Sequence, residues 1–145
     1  MHTALLHTHS GLRWILLISF ISSIVVLFIA SKKSTPSNKI KSYVLFTLII
    51  SHIQLIIGLI LYFISPKVVF QAASMKNSVL RFYLVEHISL MLIALVLVTI
   101  GYVKWKKAVE GTVKMKSLFW YYTIALLLIL VSIPWPFRIA GAAWY

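Results

Sequence analysis

The chain contains no cysteine and only two acidic residues, Glu86 and Glu110. Without thiols there are no disulfides, thiolate metal sites or cysteine-ligated iron–sulfur clusters within this chain, and the redox compartment stays open. The scarcity of carboxylates removes Ser-His-Asp triads and carboxylate pairs. A phosphate-binding glycine loop and an HExxH zinc motif are missing too, so hydrolytic and nucleotide-dependent chemistry is not expected. The five glycines form no GxxxG pair, and no internal repeat or low-complexity tract is present.

What the chain has in abundance is apolar sequence: 61% of its 145 residues are hydrophobic, where a soluble domain is nearer half. A hydrocarbon slab of about 30 Å takes about 20 residues per crossing, so four spans consume most of the length. The expected architecture is one all-α integral membrane domain over 1–145, with helices at about 4–30, 43–64, 79–103 and 118–133. Ser65-Pro66 and Pro134-Trp135-Pro136 end the second and fourth spans, and the polar stretch Ser31 to Asn38, with Pro36, ends the first. The spans are too long and too continuously apolar for barrel strands. Short connections favour an antiparallel up-down four-helix bundle. The first apolar stretch lacks a basic leader and a small-residue cleavage site, so it is read as a retained helix.

The net charge is +12, and its placement argues for orientation signals rather than nucleic-acid binding. Lys32, Lys33, Lys39 and Lys41 flank the first loop, and Lys104, Lys106, Lys107, Lys114 and Lys116 the third. The second loop has only Lys67 and Lys76, with Arg81 following. Positive-inside bias therefore predicts cytoplasmic first and third loops and both termini outside, in the periplasm of a bacterial inner membrane. Trp14, Tyr83, Trp105, Trp120, Tyr121, Tyr122 and Trp135 lie near span ends, as interfacial aromatics do. Charged residues are lacking from the middles of the spans, which argues against a stand-alone ion pump or channel.

Two histidines break this pattern. His52 lies halfway along the second span and His87 a third of the way into the third, and ionisable residues at membrane depth mark functional sites. Neutral imidazole is a good axial ligand for haem iron, so His52 and His87 on neighbouring antiparallel helices are the expected ligands of haem b. Thr47, Ser51, Gln54, Gly58 and Tyr62 form a small or polar stripe on the second span, with His52 about 120° away. On the third span, Tyr83, His87, Met91 and Ala94 share one face. Small and hydroxyl side chains also serve plain helix packing in membranes. Histidines used only for interhelical hydrogen bonds would suit a cofactor-free accessory or assembly subunit of a larger membrane complex, the alternative function.

A second cluster lies in the run Leu6-His7-Thr8-His9-Ser10-Gly11-Leu12-Arg13-Trp14, where His2, His9 and Arg13 fall on one helical face. Arg13 suits a haem propionate, or with Ser10 a quinone carbonyl at the outer face. His9 is the alternative partner of His87. His2, His7 and His9 are a weak copper or zinc set without carboxylate or thiolate help, and an interfacial helix start reaching for headgroups explains the cluster without a ligand. Glu86 points away from His87 and is open to pairing with Arg13 or Arg81, and Glu110 reads as a solvated surface residue.

That N-terminal run, together with Ile133-Pro134-Trp135-Pro136-Phe137-Arg138, resembles a family of small four-helix inner-membrane proteins of Bacteroidota often labelled cytochrome b-like. The likeness spans essentially the whole chain. Electron transfer, with other membrane or respiratory subunits as partners, is what the two buried histidines His52 and His87 imply as haem ligands. The His-Ser-Gly-Arg pattern is also similar to the quinone-site helix of succinate dehydrogenase membrane anchors, in a different order and spacing, and no residue role follows from it.

Overall fold

The computed structural model describes residues 2–32, 37–107, 112–139 and 142, and all regular structure among them is helical. Four long helices are apolar enough to cross a membrane: α1 (His2–Ala30), α2 (Ser37–Ile64), α3 (Ser78–Lys107) and α4 (Thr112–Ser132). Lys33 to Pro36 and Ala108 to Gly111, hence most of the expected first stop and the expected solvated Glu110, lie outside the described residues.

The C-terminal ends of α2 and α4 stand where Ser65-Pro66 and Pro134 predict, because proline lacks the amide proton the ladder needs. The lysine-flanked ends run longer than the apolar spans alone suggest. Lysine is a good helix former, so α2 begins at Ser37 and α3 continues to Lys107. At the start of α3, Asn77 Oδ1 accepts from the amides of Val79 (3.0 Å) and Leu80 (3.1 Å), satisfying donors with no intrahelical partner.

The helices form a four-helix bundle in which α1 packs on α2 and α4, and α3 on α4 and α2, the α2–α3 contact being the least extensive. The core is built from Phe20, Leu27, Ile40, Val44, Leu118, Tyr122, Ala125, Ile129 and Ile133. Outward faces carry Ile15, Ile18, Ile21, Phe46, Ile56, Val96 and Leu127 among many exposed apolar side chains, a surface suited to lipid rather than water.

With no hydrophobic drive between helices in lipid, close packing and hydrogen bonds hold them together. Thr47 Oγ1 donates to the Ser19 carbonyl at 3.0 Å. Its one proton is thereby used, so Ser23 Oγ donates to Thr47 Oγ1 across 2.9 Å. Tyr122 is fully buried in the bundle and donates to the Val44 carbonyl at 2.8 Å. Trp105 is likewise turned inward. Between α3 and α4, Gly101 lets the helices close: a Cβ there would stand 2.7 Å from Tyr121 Cβ.

Candidate functional site

The small-polar stripe of α2 faces the bundle interior, and this decides which histidine is presented to it. Ser51 and Gln54 are buried, and with Gly58 and Tyr62 they line a cavity of about 180 Å³. At 100° per residue, turning that stripe inward turns His52 out. His52 is exposed on the flank of α2, and its Nδ1 donates to the Leu48 carbonyl of its own helix at 2.8 Å. The expected His52–His87 pair is therefore not brought together. Small side chains occupy the inner face, where they let α1 approach.

His87 faces inward and meets His9 instead. Their ring centroids are 6.4 Å apart with planes at 73°. His87 Nδ1 donates to the Ser132 carbonyl of α4 at 2.7 Å. That bond assigns the ring proton to Nδ1, so Nε2 carries the lone pair. Directly before His87, the helix widens into a π-turn over Phe82–Glu86, closed by the His87 amide on the Phe82 carbonyl. The Tyr62 hydroxyl braces this turn by donating to the Leu84 carbonyl at 2.9 Å. Such π-turns are rare and concentrate at functional sites. Tyr83, His87, Met91 and Ala94 all line the cavity, as their shared face predicts.

His9 is seated by α2. Its ring rests on Gly58, where a Cβ would lie 3.0 Å from His9 Cε1. Gln54 Nε2 donates to the His9 carbonyl at 2.8 Å. His9 Nδ1 and Gln54 Oε1 are both buried without a hydrogen-bond partner. Each such atom costs about 1–3 kcal/mol if nothing satisfies it, and both residues line the cavity. Ser10 and Arg13 line the same cavity, with Arg13 buried and its guanidinium 5.3 Å from the Trp14 ring centre.

The cavity spans the region from the connector end, at Lys67 and Val68, to Phe20, Val98 and Ile129 in the core. Pro134 and Ala142 of the C-terminal segment border it. That segment folds back on α4 through the Trp135 indole to the Leu130 carbonyl (2.9 Å) and the Arg138 guanidinium to the Val131 carbonyl. Among the described residues no carboxylate lines the cavity, and two cations, Arg13 and Lys67, do. Glu86 is engaged by Arg81 at 2.9 Å and not by Arg13.

Of the residues singled out in the sequence, His9, Ser10, Arg13 and His87 come together, and His52 does not. Among the described residues no three histidine or acidic side chains gather as a metal cluster, and His7 is exposed, so the N-terminal copper or zinc set is not assembled. In the sequence, Gln54 and Gly58 stand out only as members of a stripe. Their tie to His9 was visible in principle, because small or polar residues at four-residue spacing mark the face a neighbouring helix approaches. The Ser132 carbonyl carried no side-chain signal at all. No family model matches this sequence, and no curated protein or solved structure proved similar to it.

Proposed function

We propose that the protein is a membrane-embedded b-type electron-transfer component whose haem is held by His9 and His87, with His52 replaced by His9 in the ligand pair. The observation that carries this reading is the 6.4 Å separation of two inward imidazoles. His87 keeps Nε2 free because its Nδ1 is bonded to Ser132, and His9 Nδ1 is buried without a partner, so both rings would have a nitrogen to offer a haem iron held in this cavity. The His87 Nδ1 bond to a backbone carbonyl is the outer-shell contact that orients metal-binding histidines.

Haem bound there supplies one-electron redox chemistry. The chain's own residues do the rest. His9 and His87 offer ring nitrogens, Ser132 and Gln54 fix the two ligand segments, and Arg13 with Lys67 matches the charge of propionates. Met91, Ala94 and Val98 provide an apolar wall that excludes water. We place the helices as an antiparallel up-down bundle in a bacterial inner membrane. Both termini are then outside, because the described lysines of the first and third loops crowd the opposite end. Electrons would pass to or from other membrane redox subunits.

A quinone or its reduced form is the second reading, favoured by one observation. Gln54 Oε1 is buried at the cavity without a donor, and a hydroquinone hydroxyl is a donor, while Arg13 and Ser10 suit the second ring oxygen. The two readings separate in one experiment. Protein expressed with haem supplied is purified, and its absorption spectrum and pyridine haemochrome are recorded. The haem reading expects a Soret band that is lost in His9→Leu and His87→Leu and kept in His52→Leu. Absence of any haem in the wild-type protein would sink it and leave the quinone reading or the cofactor-free accessory role.

A further inference from the structure

The lysine-rich end of the bundle carries a groove that the haem reading leaves unused. It lies between α1 and α2, has a volume of about 180 Å³, and is lined by Val26, Ile29, Lys39 and Tyr43. Val26 and Ile29 are three residues apart on α1, and Lys39 and Tyr43 four apart on α2, so each pair forms one helical face. The surrounding flank is apolar and outward, with Val25, Ile29 and Phe46 each about half exposed. This is an outward-facing groove with Val26 and Ile29 on its α1 side and Lys39 and Tyr43 on its α2 side.

The charges at this end are not equivalent. Lys32 is drawn over the Phe28 ring at 4.2 Å, and Lys104 donates to the Tyr121 hydroxyl at 2.9 Å. Among the described residues, Lys39 and Tyr43 have no hydrogen-bond or ion-pair partner. Lys41, Lys106, Lys107 and Lys116 stand at the same end, and no described acid offsets them, Glu86 being held by Arg81 beyond the far end of α2.

We propose that this groove binds an anionic phospholipid, its phosphate at Lys39 and Tyr43 and an acyl chain along Val26 and Ile29. Charge complementarity sets the sign of the headgroup, and basic residues at a membrane surface attract anionic lipid. The apolar α1 side, Val26 and Ile29, favours a lipid over free phosphate, which has nothing to place against it. The inference is independent of any haem.

Delipidated full-length protein in neutral detergent is titrated with phosphatidylglycerol and with phosphatidylcholine of matched chains, and bound lipid is counted by native mass spectrometry. Phosphatidylglycerol is expected to bind several-fold more tightly. Lys39→Gln should weaken it about five-fold, one lysine's contribution beside an anionic surface, while Lys116→Gln, off the groove, leaves it unchanged. Val26→Phe, which fills the groove without altering charge, should weaken both lipids. Helix content by circular dichroism confirms that each variant is folded. Equal losses in Lys39→Gln and Lys116→Gln, full displacement by inorganic phosphate, or no headgroup preference would each overturn the proposal.

Discussion

Gly58 and Gly101 offer the same substitution with opposite expected outcomes. Alanine is better than glycine inside a helix by about 0.8–1.0 kcal/mol, so each variant starts with that gain. At position 58 the new Cβ would meet His9 Cε1 at 3.0 Å, with Nδ1 at 3.7 Å and Nε2 at 3.9 Å. Carbon contacts relax near about 3.5–4.0 Å, so the ring must retreat by roughly half an ångström. It is the far end of a side chain with two torsions and is able to do so at small cost. Gly58→Ala should therefore unfold within about 1 kcal/mol of wild type. If haem is held as proposed, the displaced imidazole is a different matter, since disturbing the support of a metal ligand typically costs about 10–100-fold in affinity. At position 101 the Cβ would meet Tyr121 Cβ at 2.7 Å and Cγ at 2.9 Å. Those atoms are anchored to the α4 backbone, so the helices must separate. Overpacking of this kind costs about 1–3 kcal/mol, which equals or exceeds the propensity gain and leaves Gly101→Ala less stable by up to about 2 kcal/mol. The assays are haem titration at the Soret band and unfolding in mixed detergent. Wild-type haem affinity in Gly58→Ala, or a Gly101→Ala protein more stable than wild type, would refute the reasoning.

Other perturbations test single contacts. Thr47→Val removes the bonds to Ser23 and to the Ser19 carbonyl while keeping the shape, and should cost about 1–2 kcal/mol by the scale of interhelical bonds in membranes. Ser22→Ala should cost almost nothing, since that hydroxyl bonds only the Ile18 carbonyl of its own helix. Tyr122→Phe deletes the bond to Val44 and should lower stability by about 0.5–1.5 kcal/mol in the same unfolding assay. If the protein binds haem as proposed, His52→Leu should leave its spectrum unchanged, because the ring lies on the outer flank of α2; a lost or shifted Soret band there would show that His52 takes part after all. Arg81→Gln breaks a pair whose side chains are 42% and 37% exposed, so the loss should stay below about 1 kcal/mol and shrink with added salt.

Which parts of this protein were legible beforehand follows from what each signal depends on. Apolar run length and the prolines at 66 and 134 act through the bilayer and the local backbone, so four membrane-length helices and the stops at Ile64 and Ser132 could be read from the chain alone. The inward faces of α2 and α3 were also legible, because helical periodicity groups Ser51, Gln54, Gly58 and Tyr62, and Tyr83, His87, Met91 and Ala94, whatever lies opposite. The partner of His87 was not. Depth along a span says that two residues are level, whereas contact also requires each helix to be rotated toward the other. Rotation is set by where α1 packs against α2. Gly58 admits the His9 ring, Gln54 holds the His9 carbonyl, and the same inward turn sends His52 outside. By itself, then, the sequence determined the spans, the charge asymmetry and the presence of costly imidazoles. Only the tertiary structure decided that His9 and His87 share the cavity, because that depends on the azimuth of three helices at once and on a backbone carbonyl at Ser132 that no side chain announces.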